Sequence, residues 1–411
     1  MNLRHGCAVA GMVLATAGSA LGGEFQVHPS LAVSENFTDN VYVTQYGRKC
    51  DFITRAMPGI TLSYQASALK ADLAYLFDYH YYARRSHSND STQDIKATGS
   101  LTVVDNLLFL DLSDHYQRIS LDVTKNTTYE SLFENQGDQN VAMVSPYFTL
   151  RPTQKTKVKT GYRYIDTRYF NTSGETAVDK TDHVGFLEVA YEFTPKWSAT
   201  GGFLYTHEES DAGNYDQYQP NLGFRYEYAE KSFLFGEGGY TWIRYNNGQR
   251  IEASFWKAGA SYQFDTVTAT AATGVRYDED PQSTITQETF VTVGLVKNLH
   301  RGDVGISLDY SEYSDSGTDT PQTRKYSGRL YGRHDVTDRL NGKFNFQVEN
   351  YKQLNPGSST LRYVAEAGLN YLLMEKLTMA LNYTFVDSSS PTVSTDNYYV
   401  NRAFLELKLV L

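Results

Sequence analysis

The sequence predicts an all-β fold: a single antiparallel transmembrane β-barrel of about 20 strands (alternatively about 18), with short periplasmic turns and long extracellular loops. Three observations predict it. From Leu69 to Ala83, one parity reads Leu69, Ala71, Leu73, Tyr75, Phe77, Tyr79 and Tyr81, and the other reads Lys70, Asp72, Ala74, Leu76, Asp78, His80 and Tyr82. Side chains alternate across a strand, so this segment has one apolar face and one mostly polar face. Such segments recur about twenty times along the chain, separated by turn residues. The connections between them alternate between short and long.

In order, strands are expected over residues 27–37, 52–65, 69–83, 92–104, 107–117, 139–151, 157–169, 181–193, 197–206 and 215–228. They continue over 232–245, 250–264, 267–277, 286–297, 303–313, 323–336, 339–352, 360–373, 377–386 and 397–411. The fourth carries Ile95, Ala97, Leu101 and Val103 on one face. The last puts Leu405, Leu407, Leu409 and Leu411 on one face, with Glu406 and Lys408 on the other. A terminal amphipathic strand of this kind resembles the signal read by the barrel-insertion machinery, which is therefore an expected partner, although Leu411 stands where a final aromatic is usual.

Short connections include Ala66 to Ala68, Asp105-Asn106, Thr194 to Lys196, Ala229 to Lys231, Asp265-Thr266, Thr337-Asp338 and Met374 to Lys376. Long ones include Thr38 to Asp51, Arg84 to Ser91, Phe170 to Lys180, His207 to Asn214, Ser314 to Gln322 and Asp387 to Asp396. Short turns on one rim and long loops on the other are the pattern of an outer-membrane barrel. Aromatics beside the short turns, Phe193 with Trp197, Tyr228 with Phe233, and Tyr262 with Phe264, are expected to form a girdle on the outer face. Pro29, Pro58, Pro146 and Pro220 each open a Pro-x-apolar-x-apolar run, and bulges are expected there because proline removes a ladder donor.

Composition supports this reading. The chain has 411 residues, 41% hydrophobic, 20% charged and 14% aromatic, with 33 Tyr and 21 Phe. Aromatic enrichment suits strands and interface girdles. Past the N-terminus no apolar run approaches the roughly 20 residues of a spanning helix. A net charge of −10 with no basic patch argues against nucleic acid as a partner. Arg4 and His5, the small apolar run Cys7 to Ala17 and the Ala20-Leu21-Gly22 site read as a secretory signal over residues 1–22, with the barrel over 23–411. Cys50 is then alone, so neither a disulfide nor a paired-cysteine metal or haem site is expected, and no cofactor is implied.

Two stretches, PSLAVSENFTDNVYV from Pro29 to Val43 and DFITRAMPGITLSYQ from Asp51 to Gln65, resemble the opening of the β-barrel porin family associated with PEP-CTERM and exopolysaccharide loci. The resemblance implies an outer-membrane location. It also implies a role in exopolysaccharide export with periplasmic polysaccharide-export proteins as partners. It carries over no catalytic residue.

About twenty strands make a wide barrel, and barrels of about 16 to 18 already leave an aqueous channel. Too few residues precede the first strand for a plug domain, so the lumen is expected to be water-filled or narrowed by a loop. The longest loop, Arg118 to Asp138, carries Leu132 and Phe133 and the acids Asp122, Glu130, Glu134 and Asp138. It is the expected constriction, with an external loop as the alternative. Arg329, Arg333, Arg339, Lys343 and Arg362 sit at the parity opposite Leu330, Phe344, Phe346 and Tyr363, which makes them candidate pore-lining cations favouring anionic solutes or acidic glycans. Hydrated charges of either sign are the bland alternative.

Catalysis has little support: His80 and His115 face inward by parity, but there is no Gly-x-Ser-x-Gly or His-Glu-x-x-His, and Asp72 with Asp78 reads as hydrated lumen wall. Three readings follow: a polysaccharide conduit, a general or anion-preferring diffusion porin, and a barrel enzyme or structural barrel. A processive channel is expected to carry inward aromatics as a sliding surface. Parity assigns Tyr147, Phe255 and Tyr331 there, too few to decide.

Overall fold

The computed structural model describes residues 22–121, 136–172, 177–279, 285–315, 321–354 and 357–411, so residues 1–21 of the expected signal segment lie outside the described residues. The strands are β1 (Glu24–Thr38), β2 (Asp51–Gln65), β3 (Leu69–Tyr82), β4 (Asp90–Val104), β5 (Leu108–Ser120), β6 (Gln136–Thr153), β7 (Thr156–Phe170), β8 (Lys180–Thr194), β9 (Trp197–Ser210) and β10 (Tyr215–Ala229). They continue as β11 (Ser232–Tyr245), β12 (Arg250–Phe264), β13 (Val267–Glu279), β14 (Ile285–Leu299), β15 (Gly302–Asp315), β16 (Pro321–Asp335), β17 (Leu340–Gln353), β18 (Ser358–Met374), β19 (Leu377–Ser389) and β20 (Tyr398–Val410). Each pairs antiparallel with the next, and β1 pairs antiparallel with β20, which closes a 20-stranded barrel with no free edge.

Register sets the two faces. Leu31 lies opposite Pro58 on one side and Leu409 on the other; Ala32 lies opposite Met57 and Lys408. Opposed residues share a face, so the odd positions of β1 point out and the even ones point in. Followed around the wall, this places Leu222, Phe224, Leu234, Val293, Leu295, Leu308, Leu330, Phe346, Leu405 and Leu407 outward, where each is exposed. An apolar band exposed around a whole wall is what a lipid-facing surface requires. The strands run 13 to 18 residues, longer than the roughly 9–11 needed to cross hydrocarbon.

Connections on the short-turn rim have two to four residues. The opposite rim is less uniform than expected. Strand β9 runs on past its expected end at 206 until only 211–214 separates it from β10, because the alternating pattern extends past the turn signal, and β11 and β12, at their expected bounds, leave only 246–249 between them. The connections 39–50 and 390–397 stay long.

The aromatic girdle forms with one correction. Trp197 stacks on Tyr226 at 4.5 Å, Tyr228 on Tyr262 at 6.0 Å, and Tyr262 meets Phe264 edge-on at 4.1 Å. Phe233 instead faces the lumen, because its neighbour Leu234 takes the outward position. The prolines also behave differently from expectation. Registers across Pro29, Pro58, Pro146 and Pro220 do not shift, and the irregularities lie near the rims, as at Thr102/Val104 and Leu372/Met374. Ladder bonds on either side hold the alignment, and glycine on the next strand makes room. A Cβ on Gly161 would come within 2.5 Å of the Pro146 carbonyl oxygen, and one on Gly239 within 2.3 Å of that of Pro220.

Candidate functional site

The inner wall of β15–β20 brings three of the five candidate pore-lining cations together. Arg329, Arg333 and Lys343 all line one recess of about 360 Å³ with Tyr331, Asn345, Glu366 and Phe404. Arg333 and Lys343 are directly opposed across β16 and β17. Asp303 on β15 ion-pairs with Arg333. Arg329 Nε donates to Asn345 Oδ1 at 2.6 Å, and Asn345 Nδ2 donates to Glu366 Oε2 at 2.8 Å. Among the described residues, neither Arg329 nor Lys343 has an ion-pair partner.

Arg362 and Arg339 lie elsewhere. Arg362 is at inward parity on β18 but only 6% exposed, packed against Glu349 at 2%. Its Nη1 is 3.7 Å from Glu349 Oε2, and Lys325 Nζ is 3.1 Å from Glu349 Oε1. Gln347 and Tyr351 also donate to that carboxylate, at 3.0 and 3.2 Å. Arg362 therefore completes a buried ion cluster inside the wall. Arg339 lies in the turn between β16 and β17, at the rim, because β17 begins one residue later than its pattern suggested.

Sequence reasoning missed a second network. Arg55 on β2 pairs with Asp78 on β3, with Nε 3.1 Å from Oδ1. His80 reaches Asp78 Oδ2 from Nε2 at 3.1 Å and Asp90 Oδ1 from Nδ1 at 2.9 Å. Each ring nitrogen of His80 thus faces a carboxylate. Inward parity of Asp78 and His80 was legible in the sequence; the partner Asp90 came from the register of β3 with β4.

Of the expected constriction, Asp122, Glu130, Leu132, Phe133 and Glu134 lie outside the described residues. Asp138 does not face the lumen. It shares the outward parity of Val144 and Phe148 on β6, opposite Arg118, whose Nε donates to it at 2.8 Å. A different loop does turn inward. Val43, from the connection 39–50, is buried with Val364, Val386, Tyr398 and Val400, all inward residues of β18–β20. Asn40 pins this loop. Its Nδ2 donates to the carbonyls of Thr44 at 2.8 Å and Tyr399 at 3.1 Å, and its Oδ1 accepts from the Thr44 amide at 3.0 Å. The Tyr42 hydroxyl donates to the Ser86 carbonyl at 2.6 Å, joining it to the connection 83–89. Two valines and a tyrosine in a nominal loop were the available signal.

Several solved structures share this fold. A mutant of the ferric enterobactin receptor PfeA from Pseudomonas aeruginosa aligns with a TM-score of 0.55 and 11% identity, over 94% of this chain and 80% of that one. The FrpB iron transporter from Neisseria meningitidis aligns at 0.55 and 9%, over 93% and 82%. The alcaligin outer-membrane receptor FauA from Bordetella pertussis aligns at 0.50 and 11%, over 94% and 76%. The fold is that of outer-membrane β-barrels. No protein-family model matches the chain, and no curated protein matches it.

Proposed function

We propose that this chain is an outer-membrane channel that passes a secreted polysaccharide, acting with periplasmic export proteins. The observation that carries the reading is the interior of the barrel. Twenty strands turn alternate side chains into one lumen, a strand number above the about 16 to 18 at which barrels hold an aqueous path. The apolar outer band supports a bilayer setting, and the likeness to outer-membrane receptors supports the outer membrane. The cargo is supported by the resemblance of Pro29 to Val43 and Asp51 to Gln65 to porins of exopolysaccharide loci. The test is a clean deletion with separate quantification of surface and periplasmic polysaccharide. Loss at the surface with normal synthesis is expected; normal surface polymer overturns the reading.

A second reading, an anion-preferring diffusion porin, is favoured by Arg329 and Lys343, which stand in the lumen recess without a carboxylate partner among the described residues. Reversal potentials in planar bilayers test it. Anion preference is expected, reduced by Arg329→Gln with Lys343→Gln; no preference in the unmodified protein overturns it.

A further inference from the structure

One sector of the lumen wall, β11 to β17, carries a series of half-buried rings laid over glycines. A Cβ on Gly259 of β12 would come within 2.6 Å of the Phe235 ring on β11, and one on Gly239 of β11 within 2.4 Å of the Phe255 ring on β12. The same relation joins Gly274 of β13 to Phe290 of β14, at 3.1 Å, and Gly305 of β15 to Tyr331 of β16, at 2.4 Å. Register puts every one of these residues on the inner face. A ring lying over a glycine is held close to the wall, with its other face toward the lumen. Phe235 lies opposite Gly259 and Phe255 opposite Gly239, so these two rings are separated by four residues along the strands, about 13 Å.

Cations stand beside these rings. Lys257 Nζ is 5.6 Å from the Phe235 centroid, and Arg329 is 5.0 Å from that of Tyr331. Arg276 is 5.4 Å from Phe290, but its charge is met by Glu288. Carboxylates facing this sector bond within the wall: Asp303 to Arg333, Asp309 to the Thr292 hydroxyl, Glu366 to the Asn345 amide, and Glu237, opposite Lys257 in the register, to the Asn221 amide. Lys257 and Arg329, like Lys343 across from Arg333, make no ion pair among the described residues.

We infer that this sector is a binding track for an acidic sugar polymer. Pyranose rings stack their C–H faces on Phe235, Phe255, Phe290 and Tyr331, and uronate or other anionic substituents meet Lys257, Arg329 and Lys343. The electron-rich ring face attracts polarised C–H groups, and the adjacent cations select against neutral chains. The inference rests on the conduit reading and names its cargo class.

Single-channel recording in planar bilayers tests it, with an oligogalacturonate and a neutral malto-oligosaccharide of equal length as probes. The oligogalacturonate is expected to block current at a concentration about tenfold lower than the neutral probe, and Phe235→Leu with Phe255→Leu to raise its half-blocking concentration about tenfold. The triple substitution Lys257→Gln, Arg329→Gln and Lys343→Gln keeps every ring in place and is expected to equalise the two probes, so it carries the test if the ring variants do not fold. Absence of block, equal block by both probes in the unmodified channel, or block unchanged by the substitutions overturns the inference. Its failure is separable from that of the conduit: a deletion that strips surface polymer alongside an unblocked channel removes only the track.

Discussion

The Phe235 ring lies over the Cα of Gly259 on the neighbouring strand, and the Phe255 ring over Gly239 returns the relation in the opposite direction. Neither glycine can gain a side chain cheaply. A Cβ at Gly259 would also meet the Ala271 carbonyl at 2.6 Å, and one at Gly239 the Pro220 carbonyl at 2.3 Å, and backbone cannot swing aside as a ring tip can. Gly239→Ala and Gly259→Ala are each expected to cost about 1–3 kcal/mol. Urea titration followed by tryptophan fluorescence measures this; unchanged midpoints in both would show that the wall yields more easily than the packing implies.

The Glu349 cluster makes a sharper prediction. Removing that carboxylate leaves Lys325 and the buried Arg362 without it. Glu349→Ala is expected to destabilise by about 3–5 kcal/mol, whereas replacing all three charges with apolar groups costs far less. The same titration on the single and triple variants decides it. Equal losses would mean that packing, not charge, holds the site.

His80 stands between two carboxylates, one at each ring nitrogen. His80→Ala leaves Asp78 to Arg55 and Asp90 to Arg118, whose Nη1 is 3.9 Å away, with no ring between the two carboxylates. The single variant is expected to lose about 1–3 kcal/mol, and Asp90→Asn in the same chain to recover part of it. A double variant no more stable than the single one would contradict the bridging role.

The inward loop should govern conductance. Val43 is held among Val364, Val386 and Val400, each of the three 0% exposed. Val43→Asp places a charge in that apolar patch and is expected to release the loop from the wall. Single-channel conductance should rise while the barrel remains folded; an unchanged conductance would mean that the loop does not narrow the path.

Much of the fold was legible because a barrel strand is written in a period of two, and that period survives local irregularity. The inward placement of Arg329, Arg333 and Lys343 followed from parity alone. Closeness to the turn gave the wrong face for Phe233, whose neighbour Leu234 takes the outward position. It also said nothing about depth, so Arg362 read as lumen lining although it is packed against Glu349.

By itself, then, the sequence indicated about twenty strands, their order, an antiparallel barrel and the lipid-facing side of the strands whose alternation is clearest, because alternation and turn chemistry are local properties. Tertiary structure decided what meets across the lumen wall. The contact of Val43 with Val400, the bridge from Asp78 through His80 to Asp90, and the rings over Gly239, Gly259, Gly274 and Gly305 all depend on the offset between strands. That offset is set by hydrogen bonds along the whole ladder and by closure of β20 on β1, and no single segment encodes it.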